Sequence, residues 1–119
     1  MAAPNIVNVT TITGKTAVQQ VTTSATAIVT NAAASNKVFK VNALYIANVD
    51  GASAADITVA LYRSSASISY KIAHTVSVPA DATLDVISKS IYLEEGDDLR
   101  LTASANSDLE AVCSYEEIS

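Results

Sequence analysis

From Tyr70 onward the chain alternates apolar and polar positions over most of its length, and turn residues mark each break. Leu99, Leu101 and Ala103 share one parity, while Arg100 and Thr102 take the other. Leu109, Ala111, Cys113 and Tyr115 repeat the pattern against Glu110, Ser114 and Glu116. A period of two marks a strand with one buried face and one wet face. The acidic run Glu94, Glu95, Gly96, Asp97, Asp98 reads as the turn into the last two strands, and residues 105–108 separate those two.

The same reading extends upstream. Residues 5–12 look like a first extended segment that stops at Thr13-Gly14-Lys15, followed by short extended pieces at 16–22 and 25–30. Residues 31–36, with three alanines between Asn and Ser-Asn, form a loop. Residues 37–49 are the longest extended stretch. Phe39, Val41, Ala43, Tyr45, Ala47 and Val49 fall on one parity, which is expected to be buried throughout. The other parity mixes Val38, Leu44 and Ile46 with Lys40, Asn42 and Asn48, so it is expected to be buried only halfway along and to meet a neighbouring subunit over Leu44 and Ile46.

Residues 57–63 and 68–78 are predicted to pair antiparallel across the short connection 64–67, with Pro79 ending the second strand. Residues 84–88 and 90–93 make an extended pair with a bulge near Lys89, where the apolar parity shifts. About eight strands at intervals of roughly 8–12 residues, with no helix needed between them, predict an all-β fold. It is an antiparallel β-sandwich, jelly-roll or immunoglobulin-like, with a small closed barrel as the alternative. Residues 1–119 are expected to form one domain, with 1–12 a candidate extended N-terminal arm or strand.

Composition narrows the functional classes. Half of the residues are hydrophobic, but Trp is absent and Phe39 is the single Phe, which suits a core of small interdigitated side chains. The formal charge of −5 and scattered Lys and Arg exclude the basic stripe of a nucleic-acid binder. No apolar run is long enough to span a membrane, and MAAPNIVNVT lacks the pattern of a secretion signal, so synthesis in the cytoplasm is expected. Cys113, the only cysteine, is expected in the core as a small hydrophobe.

Candidate chemistry is sparse. His74 is the only histidine; its parity places it in the core or at a subunit interface, and no nucleophile motif surrounds it. One His and one Cys cannot supply a zinc site. The acidic turn could offer oxygens to calcium, yet its spacing is not that of an EF-hand, and a solvated turn accounts for it equally. Three glycines make no phosphate-cradling loop. No enzyme and no cofactor are expected.

The run SVPADATLDVISKSIYLEEGDDLRLTASANSDLEAVCSYEEIS resembles small virion proteins of marine tailed bacteriophages, and IVNVTTITGKTAVQQVTTSATAIVTNAAASNKVFKVNALYIANVDG is similar to the same group. The resemblance implies a non-enzymatic β-sandwich of the virus particle. The leading expectation is a capsid decoration or cement protein bound to the major capsid protein of a phage head; the alternative is a tail, baseplate or fibre component for host attachment. It also implies self-association, with a homotrimer favoured because trimers match local symmetry points of an icosahedral shell. The residues expected to bind partners are Leu44, Ile46 and Tyr62 on the less consistently buried parity, and Asn5, Ile6 and Val7 in the arm.

Overall fold

Where the sequence alternates most regularly, the strands are long and their ends agree with expectation. The computed structural model describes residues 4–119, which contain nine strands and no helix. They are β1 (Ile12–Gln20), β2 (Thr26–Thr30), β3 (Val38–Asn48), β4 (Ala55–Arg63), β5 (Ile68–Val78), β6 (Thr83–Asp85), β7 (Ile91–Leu93), β8 (Asp98–Ala103) and β9 (Leu109–Ile118). Two antiparallel sheets result. Sheet A runs β1-β9-β3-β6, with β7 also paired to β3, and sheet B runs β2-β8-β4-β5. Apart from β4 and β5, strands adjacent in sequence are not paired neighbours. The chain crosses repeatedly from one sheet to the other, and the two sheets bury their inner faces against each other as a β-sandwich.

The core is aliphatic. Val21, Val41, Leu44, Ile46, Ile57, Val59, Val78, Leu93, Leu99, Leu101 and Leu109 are all fully enclosed. Burying a side chain of this kind stabilises by about 1.5–3 kcal/mol relative to leaving it in water. Phe39 and Tyr115 add one aromatic pair, with ring centroids 5.5 Å apart.

Three expectations are corrected. Residues 5–8 form a turn, closed by Asn8 N donating to Asn5 O, and are not extended; residues 1–3 of the expected arm lie outside the described residues. Thr13-Gly14-Lys15 lies inside β1. Gly14 keeps an ordinary extended backbone there, because β9 pairs with β1 continuously from Ile12↔Ile118 to Gln20↔Glu110. His74 is exposed on β5, outside the core. Strand β5 departs from its expected one-sided burial because it is the edge strand of sheet B and its register on β4 slips twice, between Ile57 and Val59 and again between Val59 and Ala60. Thr75 sits at φ +48° at the first slip, where its N–H donates to Thr58 Oγ1.

The fourth correction concerns β3. Val41 and Ala43 pair with consecutive residues of β9, Tyr115 and Ser114, so Asn42 is the extra residue of a bulge. The bulge switches parity halfway along the strand. Phe39 and Val41 face the core before it, and Leu44 and Ile46 after it, both at 0% exposure. Tyr45 is thereby turned outward. The interrupted strand β6–β7 follows the same irregularity. Val86 N donates to Leu44 O, and residues 87–90 leave the ladder, with Ile87 buried in the core, before Ile91 rejoins opposite Val41.

Candidate assembly surfaces

Strands β1, β9 and β3 lie side by side, so their outward residues form rows across sheet A. Val18 pairs with Val112, and Val112 pairs with Tyr45. Cross-strand neighbours of this kind sit close enough to form one continuous surface. The three are 74%, 41% and 45% exposed. The adjacent row, Thr16–Ser114–Ala43, carries no charge, and beyond the apolar row Gln20–Glu110–Ala47 carries one. Val18, Gln19, Gln20, Glu110, Ala111 and Val112 also line a shallow depression of about 350 Å³. Gln19 spans the edge, with Nε2 donating to Ala27 O at 3.0 Å, and its Oε1 is the one buried side-chain polar atom without a partner among the described residues.

The outer face of sheet B is different in kind. Asp98 accepts two hydrogen bonds from Arg100, at Nε (2.7 Å) and at a terminal nitrogen (3.1 Å). The Arg100 guanidinium lies 4.1 Å from the centroid of the Tyr62 ring. A carboxylate fork and a cation–π contact satisfy the charge within the chain. Tyr62, expected as a partner contact, is half-buried in this cluster.

The acidic turn is built into one end of the sandwich. The Asp97 carboxylate accepts from Ser64 N at 3.0 Å and Glu94 N at 3.2 Å, and lies 3.4 Å from Arg63, which also pairs with Glu94. Gly96 takes φ +88°, and a Cβ there would meet Ser64 Oγ at 2.6 Å, so only glycine fits. Its N–H donates to Asn31 O. Asn31, fully buried, donates through Nδ2 to Lys37 O and Leu93 O and accepts from Ser35 Oγ at 2.6 Å. Asn48 has the same role at the opposite end, donating to Ser53 O and Val78 O. Sequence reasoning missed both asparagines. Each stands at the end of a strand before a loop, a position that signals a turn but gives no sign of burial.

Two further groups complete the electrostatics. Glu117 bridges Lys15 and Lys37, each at 3.0 Å. Partial burial pushes its carboxyl up, but the hydrogen bonds from the two lysines outweigh that and hold it below the ordinary value. Cys113 is fully enclosed, and burial raises its thiol to about 11, so it is an inert core residue. It lies on β9 in sheet A, whereas His74 lies on the β5 edge of sheet B, so the two do not form a nucleophile–base pair.

Of the residues expected to bind partners, Leu44 and Ile46 are core residues of this chain, turned inward by the Asn42 bulge. Ile6 and Val7 are exposed, Val7 at 89%, and Asn5 holds their turn through Oδ1, which accepts from Val7 N. The structure does not bring this turn together with Tyr62. Tyr45, Val18 and Val112 form the exposed apolar row. For Tyr45 the available sign was an apolar parity too long for its strand, continuing past Asn42 while a second apolar parity began.

No protein-family profile and no curated protein matches the sequence. Solved structures do share the fold. A chain of the acidic stable capsid of Helicobacter pylori bacteriophage KHP30 aligns over 94% of this chain and 90% of its own, at 8% identity and TM-score 0.59. A chain of the Bacillus endospore appendages, described as a novel family of disulfide-linked pili, aligns over 92% and 88%, at 14% identity and TM-score 0.54. The sandwich is thus similar in fold to chains of a phage capsid and of a bacterial pilus.

Proposed function

We propose that the protein is a non-enzymatic structural component of a virus particle, a decoration or cement protein that binds the major capsid protein and stabilises a phage head. The observation that carries this reading is the exposed apolar row Val18–Val112–Tyr45 on the outer face of sheet A. An exposed apolar row suits contact with another protein surface. The sequence resemblance to phage virion proteins and the shared fold with a phage capsid chain support the same conclusion. The strand orders β1-β9-β3-β6 and β2-β8-β4-β5 support reading the sandwich as a jelly roll. Affinity for the shell comes from many shallow contacts repeated by self-association, with the exposed Asn5–Val7 turn adding a second point of attachment.

The fold shared with a pilus chain favours a second reading, a tail, baseplate or fibre component. Disulfide linkage through Cys113 is not part of it, because that thiol is buried. Quantitative mass spectrometry of purified particles separates the two. Near-stoichiometric abundance with the major capsid protein is expected for decoration. A few copies per particle would move the protein to the tail, and absence from particles would overturn both readings.

A further inference from the structure

We infer that two copies of this chain pair edge to edge through β1, antiparallel about a two-fold axis at Thr16, so that their A sheets join into one. The inference rests on the self-association proposed above and deepens it by naming the contact.

The lateral edges of the two sheets are unequal. Strand β2 has five residues, and β6 and β7 have three each, separated by residues 86–90. Strand β5 is long, but its register on β4 slips twice, and Thr75 within it takes φ +48°. Shortness, interruption and bulging all blunt an edge against a further strand. Strand β1 has none of these. Its nine residues pair with β9 without a slip, and among the described residues no strand lies on its other side.

The bonds at the two ends of this ladder fix what the free side offers. Thr11 and Ser119 exchange both backbone hydrogen bonds, each at 2.9 Å, and Val21 N donates to Leu109 O at 2.9 Å. In an antiparallel ladder, residues that bond to one neighbour alternate with residues that turn away from it. Thr13, Lys15, Ala17 and Gln19 therefore serve β9, while Ile12, Gly14, Thr16, Val18 and Gln20 turn their N–H and C=O groups to the open side.

Strand β1 is its own complement. In antiparallel pairing with a second β1, the register centred on Thr16 is the one that gives all nine residues a partner. The outward residues then meet one another. Ile12 faces Gln20, Gly14 faces Val18 and Thr16 faces Thr16, each pair closing two hydrogen bonds. Lys15, the only charged residue of β1, opposes Ala17 and keeps Glu117 as its partner, so no like charges stand opposite. Gly14 leaves room for Val18 of the second copy, because no atom lies within 4 Å of where a Cβ would stand. Length, bonding positions and charge thus all match a second copy. The contact is isologous and closes with two chains.

Sedimentation of the full chain, up to about 1 mM so that weak contacts register, is expected to show a dimer. Thr16→Pro removes an outward N–H and none of the bonds to β9, so it should leave a folded monomer. Thr16→Lys and Thr16→Glu set like charges together at the axis, and each should weaken the dimer about tenfold or more. Mixed in equal amounts, the two should associate within about threefold of the wild type. Thr16 is exposed, so the melting temperatures of both charge variants should stay near that of the wild type. A wild type that stays monomeric overturns the pairing, as does a Thr16→Pro chain that dimerises like the wild type or a mixture no tighter than either variant alone. Those results leave attachment to the shell standing, to be judged by copy number in particles. Absence from particles, with a dimer still governed by Thr16, would instead overturn the virion reading and keep the pairing.

Discussion

The Asn31–Asp97 end of the sandwich and the outer face of sheet A invert the usual placement of side chains. At the end, an amide and a carboxylate are buried; on the face, two valines and a tyrosine are in water. The buried polar groups have their partners inside the chain, down to backbone N–H groups of Ser64 and Glu94 and the carbonyls of Lys37 and Leu93. They are explained by the fold. The exposed apolar groups have no such partner, and it is there that a second molecule gains most by excluding water. An acidic turn that looks like a ligand site is architecture, and a plain strand face is the place to seek function.

Substitutions can break that contrast, and the largest effect is expected at the closed end. Asp97→Ala leaves Ser64 N and Glu94 N without their acceptor and Arg63 with Glu94 alone. The stability loss should be about 3 kcal/mol, read by chemical denaturation of the monomeric protein. A loss under about 0.5 kcal/mol, the level of an ordinary surface change, would show that the turn is not a structural element.

Glu117→Gln should have a smaller effect, about 1 kcal/mol or less, as expected for partly exposed ion pairs. Its pH dependence is the sharper readout. The carboxyl is held below its ordinary value of 4.5 in the folded protein, so its contribution is present above that value and is lost as pH falls through the lowered one. Melting curves of the variant should therefore converge with those of the wild type in acid and separate above pH 4.5. Curves that kept a constant separation across that range would detach Glu117 from the effect.

The smallest stability change is expected on the open face. Val18→Ser with Val112→Ser should shift the monomer by no more than about 0.5 kcal/mol per site. The same double variant should nonetheless reduce incorporation into particles severalfold. A large loss of monomer stability would mean that the row belongs to the core after all.

Much of this was legible in the sequence, and the exceptions have physical causes. The bounds of β5, the alternation of β9 and the burial of Cys113 follow from period two and a terminating Pro79, which are local signals. The assignment of Leu44 and Ile46 to a surface failed because the Asn42 bulge is set by the register on β9, far away in sequence. The same long-range pairing carried β1 through Gly14, where a local reading placed a stop. His74 shared its parity with apolar neighbours, but the slips against β4 and its place on an edge strand leave it in water. The exposed row itself was not legible, since Val18, Val112 and Tyr45 meet only once three distant strands are aligned.

The place of β9 in sheet A also sets an order of events during synthesis. Sheet A has β9 between β1 and β3, so β1 has no strand to lie against until residues 109–118 have left the ribosome. Sheet B, by contrast, can begin with the β4–β5 hairpin as soon as that leaves the exit tunnel. The row that joins Val18 to Tyr45 through Val112 therefore cannot form on a nascent chain before β9 has been made. A chain in which β9 has not yet been made lacks this exposed row altogether.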